Sequence, residues 1–213
     1  NMKAHSFIYL IIYSCFIMSV SLQAQEHFAD RYNVSYITMD DGLPHNFIDD
    51  IYKDTRGFLW ISTAGGGLSR YDGYEFIHFN PNTPHSKLKS NFIHNVYEDR
   101  FHRLWIVSEG GTDIIDLSTL QSVIPNDPKG LLPRFINHPT YIVILDSQGC
   151  IWLQCDNALH RITFDAEGGI DTLSTVDLPE QDEPDLILKD IDEDGKIWTG
   201  INGTIYKITP TPQ

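Results

Sequence analysis

The 213-residue chain is poor in basic side chains. Lys and Arg number 15 against 29 Asp and Glu, which gives a formal net charge of −14. Nucleic acid and anionic lipid surfaces would repel such a chain, so neither is expected as a partner of this segment. The acidic residues are most concentrated between Asp177 and Asp194.

Cysteine is also scarce. Cys15 lies in an apolar N-terminal run, so only Cys150 and Cys155 would remain in an exported chain. They flank Trp152 in one predicted strand, and their odd separation would point them to opposite faces. We therefore predict two buried thiols and no disulfide, although an exported chain meets an oxidising compartment.

A long helical apolar stripe is the third feature that the chain lacks, which excludes a solenoid of helices. What it contains instead is a repeat. IYKD at 51–54 is answered 45 residues later by VYED at 96–99, and LWI at 59–61 by LWI at 104–106. Four tryptophans extend the repeat at spacings of 45, 47 and 46 residues: Trp60, Trp105, Trp152 and Trp198.

Each copy predicts short strands. In the first copy, alternating apolar residues and turn signals place four of them at Phe47–Tyr52, Phe58–Ser62, Leu68–Tyr71 and Glu75–Phe79. A period of about 40–50 residues with four antiparallel strands is typical of a β-propeller blade, so we predict an all-β fold. The blades would occupy residues 47–91, 92–139, 140–185 and 186–213, with the last blade partial.

A turn precedes each tryptophan. An Asp lies six residues before it (Asp54, Asp99, Asp146, Asp192), and a Gly lies three before it in three copies (Gly57, Gly149, Gly195). Both residues favour tight hairpins, and in the second copy His102 stands in the glycine place. A Trp at one interior strand position in every copy predicts packing between blades. We favour this over a carbohydrate-stacking platform.

Residues 1–24 predict a secretory signal peptide. Lys3 precedes an apolar run from Phe7 to Val20, and Ala24 offers a small residue at the cleavage point. The run is shorter than the roughly 18–20 residues of a spanning helix, so a membrane anchor is the less favoured alternative. Residues 25–46 would follow as a lead-in that contains a strand over Asn33–Met39. We expect this strand to close a ring by joining a final blade.

Metal and phosphate chemistry receive little support. Asp190, Asp192 and Asp194 begin like a calcium loop, but its twelfth position is Ile201 where a bidentate acid is required. We therefore favour a solvated hairpin turn and expect no metal and no cofactor. The triple glycine at 65–67 lacks the Lys and hydroxyl residues of a phosphate loop, so it is predicted to be a turn.

Ligands of propellers bind at one end of the ring, on loops and at the central channel. The candidate ligand-binding residues on such loops are His45, Asn46, Asn91, His94, Arg134 and His138. His45, His94 and His102 could line a pocket, although scattered surface histidines are the favoured interpretation. No Ser, His and Asp can be assembled into a catalytic set, so no catalytic residue is predicted.

Three segments of the first copy resemble the two-component regulator propeller repeat: DGLPHN at 41–46, D-x-x-G-x-LWIST from Asp54 to Thr63, and GGLSRYD at 66–72. The resemblance covers nearly all of the exported chain and weakens in the third and fourth copies. It implies about four blades of a seven-bladed ring in the periplasmic sensor of a hybrid two-component system of gut Bacteroidetes. A membrane helix, a histidine kinase, a receiver and a DNA-binding domain would lie in other parts of the protein.

The resemblance also implies a function. The segment would be a non-enzymatic sensor of oligosaccharides from glycan breakdown, in the periplasmic part of an inner-membrane protein. Its partners would be the remaining blades, the membrane-anchored kinase part and, in the full-length protein, a second copy of the chain. Two alternatives stay open: a secreted propeller lyase or hydrolase, and a protein-interaction propeller that uses the acidic residues 177–194.

Overall fold

A computed structural model describes residues 34–84, 87–178, 187–192, 194, 196–201 and 204–209 of the chain. The predicted signal peptide and Gly195 lie outside these residues. Among the described residues, no helix is both long and apolar enough to cross a membrane.

Each copy of the repeat folds into its own antiparallel sheet, which confirms the prediction of an all-β fold with propeller-type blades. The first sheet contains β1 (Ile48–Lys53), β2 (Leu59–Thr63), β3 (Gly67–Tyr71) and β4 (Phe76–Phe79). The second contains β5 (Ile93–Glu98), β6 (Arg103–Ser108) and β7 (Gly111–Asp116). The third contains β8 (Thr140–Leu145), β9 (Ile151–Cys155), β10 (Ala158–Phe164) and β11 (Ile170–Asp177), and the fourth β12 (Ile187–Ile191), β13 (Ile197–Ile201) and β14 (Thr204–Ile208).

The second sheet differs from the expected four strands. After β7 the chain makes one isolated bridge, between Ile115 and Ser122, and then runs through a one-turn helix, α1 (Pro133–Ile136), before β8 begins. Proline explains the missing fourth strand, because Pro125 and Pro128 follow the bridge and have no N–H to donate to a ladder.

The predicted strand over Asn33–Met39 is not observed in the described part of that segment. Residues 34–38 form no ladder, and Met39–Asp41 form a 3-10 turn capped by the side chain of Thr38. A strand needs a neighbour to satisfy its backbone groups, and the described strands all pair within the four sheets above. The closing role of this segment stays a prediction.

Three of the four tryptophan rings lie between successive sheets. Trp60 packs in one apolar cluster with Ile93 and Val96 of the second sheet, and Trp105 packs with Val143 of the third. Trp60, Trp105 and Trp152 are 0%, 0% and 3% exposed, whereas Trp198 is 38% exposed. The first three rings are therefore packing residues between blades, and their faces are closed to a sugar.

The Asp that precedes each Trp is bonded to its indole. The distances from Trp Nε1 to Asp Oδ2 are 2.9, 2.8, 3.0 and 2.8 Å in blade order. The other carboxylate oxygen accepts two backbone N–H groups of the turn, those of Arg56 and Phe58 in the first blade. One side chain thus fixes both the hairpin and the ring, which explains the constant six-residue spacing.

Cys150 and Cys155 are both buried free thiols, as the sequence predicted. Burial raises the pKa of the Cys155 thiol to about 11. Its Sγ lies 3.9 Å from the carbonyl oxygen of Arg134 and serves as a weak donor. Neither cysteine is a reactive nucleophile in this setting.

Candidate functional site

One end of the blades collects the loops that the sequence singled out. We call it the entry face: the loops that lead into β1, β5 and β8, together with the β2–β3, β6–β7 and β9–β10 turns. These loops and turns share an end because the sheets are antiparallel meanders. They also bond across blades, since the N–H groups of Gly65 and Gly67 both donate to the carbonyl of Asn91, each over 2.9 Å.

His45 and Asn46 lie in the loop that leads into β1. The Nδ1 atom of His45 accepts the N–H of Phe47 over 3.1 Å, and its ring lies against the Gly65–Gly66 turn. Asn46 is exposed. In this arrangement His45 shapes the loop, while Asn46 faces solvent.

Arg134 and His138 lie in the connection between the second and third blades. The side chains of both residues are exposed. The backbone carbonyl of Arg134 accepts from the Cys155 thiol of the third blade. The backbone carbonyl of His138 accepts from the hydroxyl of Thr140, at the start of that blade, over 3.0 Å. Asn91 is exposed as well, and its carbonyl serves the β2–β3 turn. A ligand-binding role for these residues stays a prediction.

His94 differs from the other candidates because it sits on an innermost strand, in a β-bulge. The registers show the same bulge near the start of the innermost strand in all four blades. The extra residues are Asp49, His94, Tyr141 and Lys189. Bulges re-aim side chains and occur beside functional sites, so this repeated position is the structural feature that best marks a site.

The bulge residues of the first three blades interact with one another. Asp49 acts electrostatically on His94, and the rings of His94 and Tyr141 lie 5.3 Å apart at an angle of 34°. Burial lowers the pKa of His94, against the opposing effect of Asp49 and Glu109. The Nε2 atom of His94 is buried and has no hydrogen-bond partner.

In the first two blades, the residue after the bulge interacts with the next blade. The backbone N–H of Val96 acts on the Asp50 carboxylate and lowers its pKa, against the larger effect of burial. One blade later the Asn95 side chain bonds both backbone groups of Val143, donating Nδ2–H to the carbonyl over 3.0 Å and accepting the N–H over 3.1 Å. The bulges of the first two blades therefore lie directly beside contacts between neighbouring blades.

The bulges of the first two blades have a sequence pattern, which the prediction of a regular strand over Phe47–Tyr52 did not take into account. IDDI at 48–51 and IHNV at 93–96 each place two polar residues between two apolar ones. A regular strand alternates, so apolar residues three apart cannot share one face unless an extra residue intervenes. Asp49 was missed for this reason, whereas TYIV at 140–143 carries no such signal for Tyr141.

The weak calcium candidate is engaged by protein donors. Asp192 accepts the N–H groups of Asp194 and Lys196 and the indole N–H of Trp198, so both carboxylate oxygens are in use. The ammonium group of Lys196 pairs with Asp194. The side chain of Asp190 lies outside the described part of the structure. These bonds favour the hairpin-turn interpretation over a cation site.

His160 gives a testable pH dependence. It is fully buried on β10, its Nδ1 atom lies 3.0 Å from Thr175 Oγ1, and burial, followed by Arg134, lowers its pKa from 6.5. The unfolded chain therefore binds this proton more readily than the folded one. The contribution of His160 to stability is complete above pH 6.5 and is lost as the pH falls from there through the folded pKa.

We expect His160→Gln to flatten the fall in unfolding free energy between about pH 7 and pH 5, measured by urea denaturation at a series of pH values. His138→Gln, which changes an exposed histidine, is the control and should keep the wild-type slope. Parallel pH profiles for the wild type and His160→Gln would contradict this assignment.

Comparison with known proteins agrees with this geometry. Residues 42–65 and 87–110, which span the bulge and the tryptophan of the first two blades, match the family described as two component regulator propeller. By sequence, none of the curated proteins matches the chain. Several solved structures do match the chain. Their sequence identities are low, so these matches are evidence for the fold only.

Two of these structures come from B. thetaiotaomicron. The extracellular domain assigned to hybrid two component system BT3049 has a TM-score of 0.55 at 19% identity, covering 82% of this chain and 30% of that one. The extracellular domain of BT4673, assigned as a one component system, has a TM-score of 0.50 at 20% identity, covering 85% and 32%. This chain thus spans about a third of the length of each domain.

Virginiamycin B lyase from Staphylococcus aureus also matches, with a TM-score of 0.50 at 17% identity, covering 78% of this chain and 57% of that one. This fold is therefore shared with the two extracellular domains and with an enzyme. In this chain, residues 42–65 and 87–110 match two component regulator propeller repeats, and the chain folds into successive blades of β-propeller type.

Proposed function

We propose that the chain is part of the extracytoplasmic sensor of a hybrid two-component system and that its entry face binds an oligosaccharide released by glycan breakdown. The repeat family and the two B. thetaiotaomicron extracellular domains support the sensor role. The predicted signal peptide supports export to the periplasm.

The observation that carries the binding role is the repeated bulge on the innermost strands. Four blades build it in the same place, at the end where the interblade loops also meet. Core packing gives no reason for an extra polar residue at the start of each innermost strand. A ligand that spans several blades would explain the extra residue, because each blade would then supply one contact.

Signalling follows from the way in which the blades are joined. Asp49 and His94 are adjacent in sequence to Asp50 and Asn95, which connect the first two innermost strands to the next blade. A ligand that draws the bulges together changes the angle between blades. The change would pass through the remaining blades to a membrane-anchored histidine kinase in the same protein and alter the pairing of two subunits.

A propeller lyase is the second candidate, and the virginiamycin B lyase match is the observation that favours it. The two functions differ in what happens to a bound glycan. A sensor returns the oligosaccharide unchanged after prolonged incubation, whereas a lyase converts it to shorter, unsaturated fragments that chromatography separates.

Calorimetric titration of the full exported region against plant, host and microbial oligosaccharides tests the proposal. We expect a stoichiometric heat signal with one glycan class and no change in the glycan. Circular dichroism serves as the control for folding. A folded protein that gives no heat with any member of the panel contradicts glycan sensing, and one that degrades its ligand supports the lyase.

A further inference from the structure

We propose that the bulge residues of the first three innermost strands form a ligand-contact row, one side chain from each of these blades, and that the row selects neutral over acidic oligosaccharides. This inference rests on the proposed function and specifies the site and the ligand class. We call Asp49, His94 and Tyr141 the bulge row.

The first argument is the direction in which the neighbouring side chains point. On β5, Ile93 and Val96 belong to the apolar cluster shared with the first blade, and Asn95 bonds Val143 of the third blade. The regularly alternating residues of β5 therefore contact the first blade on one side and the third blade on the other. His94 is the extra residue of the bulge and falls outside this alternation. Its ring lies beside that of Tyr141 on the third blade.

The second argument is continuity. The innermost strands β1, β5 and β8 lie side by side. Asp49 interacts electrostatically with His94, and the His94 ring contacts that of Tyr141. Three adjacent blades thus place their bulge residues near one another, which suits a ligand made of several similar units.

The third argument is the chemistry of the row. A carboxylate accepts hydrogen bonds from sugar hydroxyls, and an imidazole accepts at one nitrogen while it donates at the other. The Nε2 atom of His94 has no partner at present, so a hydroxyl that reaches it gains a bond without breaking one within the protein. Tyr141 is half-buried and adds an aromatic ring that can pack on the apolar face of a pyranose.

The fourth argument is charge, and it separates ligand classes. The groups that act electrostatically on His94 are Asp49 and Glu109, both carboxylates. Arg134 is the cationic residue among the candidates, and its charge affects the pKa values of Cys155 and His160 instead. Burial lowers the pKa of His94, so Asp49 gives the three residues of the row net negative charge. The side chain of Lys189, at the bulge of the fourth blade, lies outside the described part of the structure. A uronate or sulfated glycan would meet repulsion there, whereas a neutral glycan would not.

The test uses the full exported region and titrates it with matched neutral and acidic probes, such as galacto-oligosaccharides against oligogalacturonates and xylo-oligosaccharides against heparin fragments. We expect wild-type protein to bind a neutral member of the panel. Tyr141→Ala should weaken that binding at least tenfold. The double variant Asp49→Asn, Glu109→Gln should raise the affinity for acidic probes several-fold relative to neutral ones.

Glu75→Gln is the matched control, because this exposed carboxylate lies in the β3–β4 turn at the opposite end of the first blade. It should leave binding of both probe classes unchanged. Melting temperatures of all variants report whether a loss of binding reflects unfolding, and a Tyr141→Phe variant retains the ring if Tyr141→Ala does not fold. Tyr141→Phe should keep most of the affinity.

The outcomes distinguish the two proposals. If folded wild-type protein binds no member of the panel, both the glycan-sensing proposal and the bulge-row proposal are overturned. Binding that Tyr141→Ala leaves intact overturns the bulge row alone and leaves the sensor proposal standing. A wild-type preference for acidic probes overturns the selectivity, and the expected pattern in all three measurements supports it.

Discussion

Replacement of Asp99 by Ala is expected to lower the free energy of unfolding by about 3–5 kcal/mol, the range for breaking a buried, hydrogen-bonded ion pair. The Asp99 carboxylate accepts from Trp105 Nε1 over 2.8 Å and from Arg103 Nε over 2.7 Å. It also accepts the backbone N–H groups of Phe101 and Arg103. Alanine leaves all four donors without their partner in a site that water does not reach. Urea denaturation followed by tryptophan fluorescence measures the loss.

The guanidinium group of Arg103 makes this loss larger than a missing turn bond. Arg103 is buried, donates Nη1–H to the carbonyl of Gly168 over 2.7 Å and lies over the rings of Phe101 and Phe164. These contacts hold the charge in place after its carboxylate has gone. An uncompensated buried cation costs more than the solvated one of the unfolded chain.

Asp192→Ala is the matched control, because Asp192 makes the same indole and turn bonds at the same position of the fourth repeat. Trp198 is partly exposed there, so water replaces the lost carboxylate. We expect a much smaller effect on stability than that of Asp99→Ala. Equal losses for the two variants would show that the turn, rather than burial, sets the value of this side chain.

The repeat made the blades predictable from sequence, since Trp60 and its three equivalents mark one interior position and the flanking apolar residues alternate. The spacing of six between Asp and Trp was visible too. Its cause was not, because turn chemistry alone accounts for an Asp, and only the folded hairpin brings the indole N–H to the second carboxylate oxygen.

Departures from the repeat were harder to predict. A four-strand template was applied to the second copy, although Pro125 and Pro128 remove the donors that a fourth strand needs. A regular strand was likewise assumed for Phe47–Tyr52, so the bulge at Asp49 was missed. The local evidence in each case was one or two residues, and it conflicted with a strong periodic signal. Interactions between blades, such as that of Asp49 with His94, depend on the packing of separate repeats and cannot be obtained from one copy.

Replacement of Gly111 by Ala is expected to destabilise the fold by about 2–5 kcal/mol, through a clash of a kind that costs about 1–3 kcal/mol and a backbone conformation that costs about 1–2 kcal/mol. Gly111 begins β7 with φ +114°, where a side chain is strained. A Cβ there would overlap the carbonyl oxygen of Ile136 and would come within 3.2 Å of that of His138. Both carbonyls belong to the connection that leads to the third blade, so the β6–β7 turn and this connection must separate.

Gly73→Ala isolates the backbone part of this effect. Gly73 has φ +101° and nothing within 4 Å of its ideal Cβ position, so only the strain of about 1–2 kcal/mol applies. Urea denaturation of both variants gives the difference, and hydrogen exchange should show faster exchange around α1 and β7 in Gly111→Ala alone. Equal destabilisation by the two substitutions would mean that the connection moves aside freely. That result would also weaken the case for a rigid entry face, because this connection carries Arg134 and His138 and is held against the second blade at Gly111.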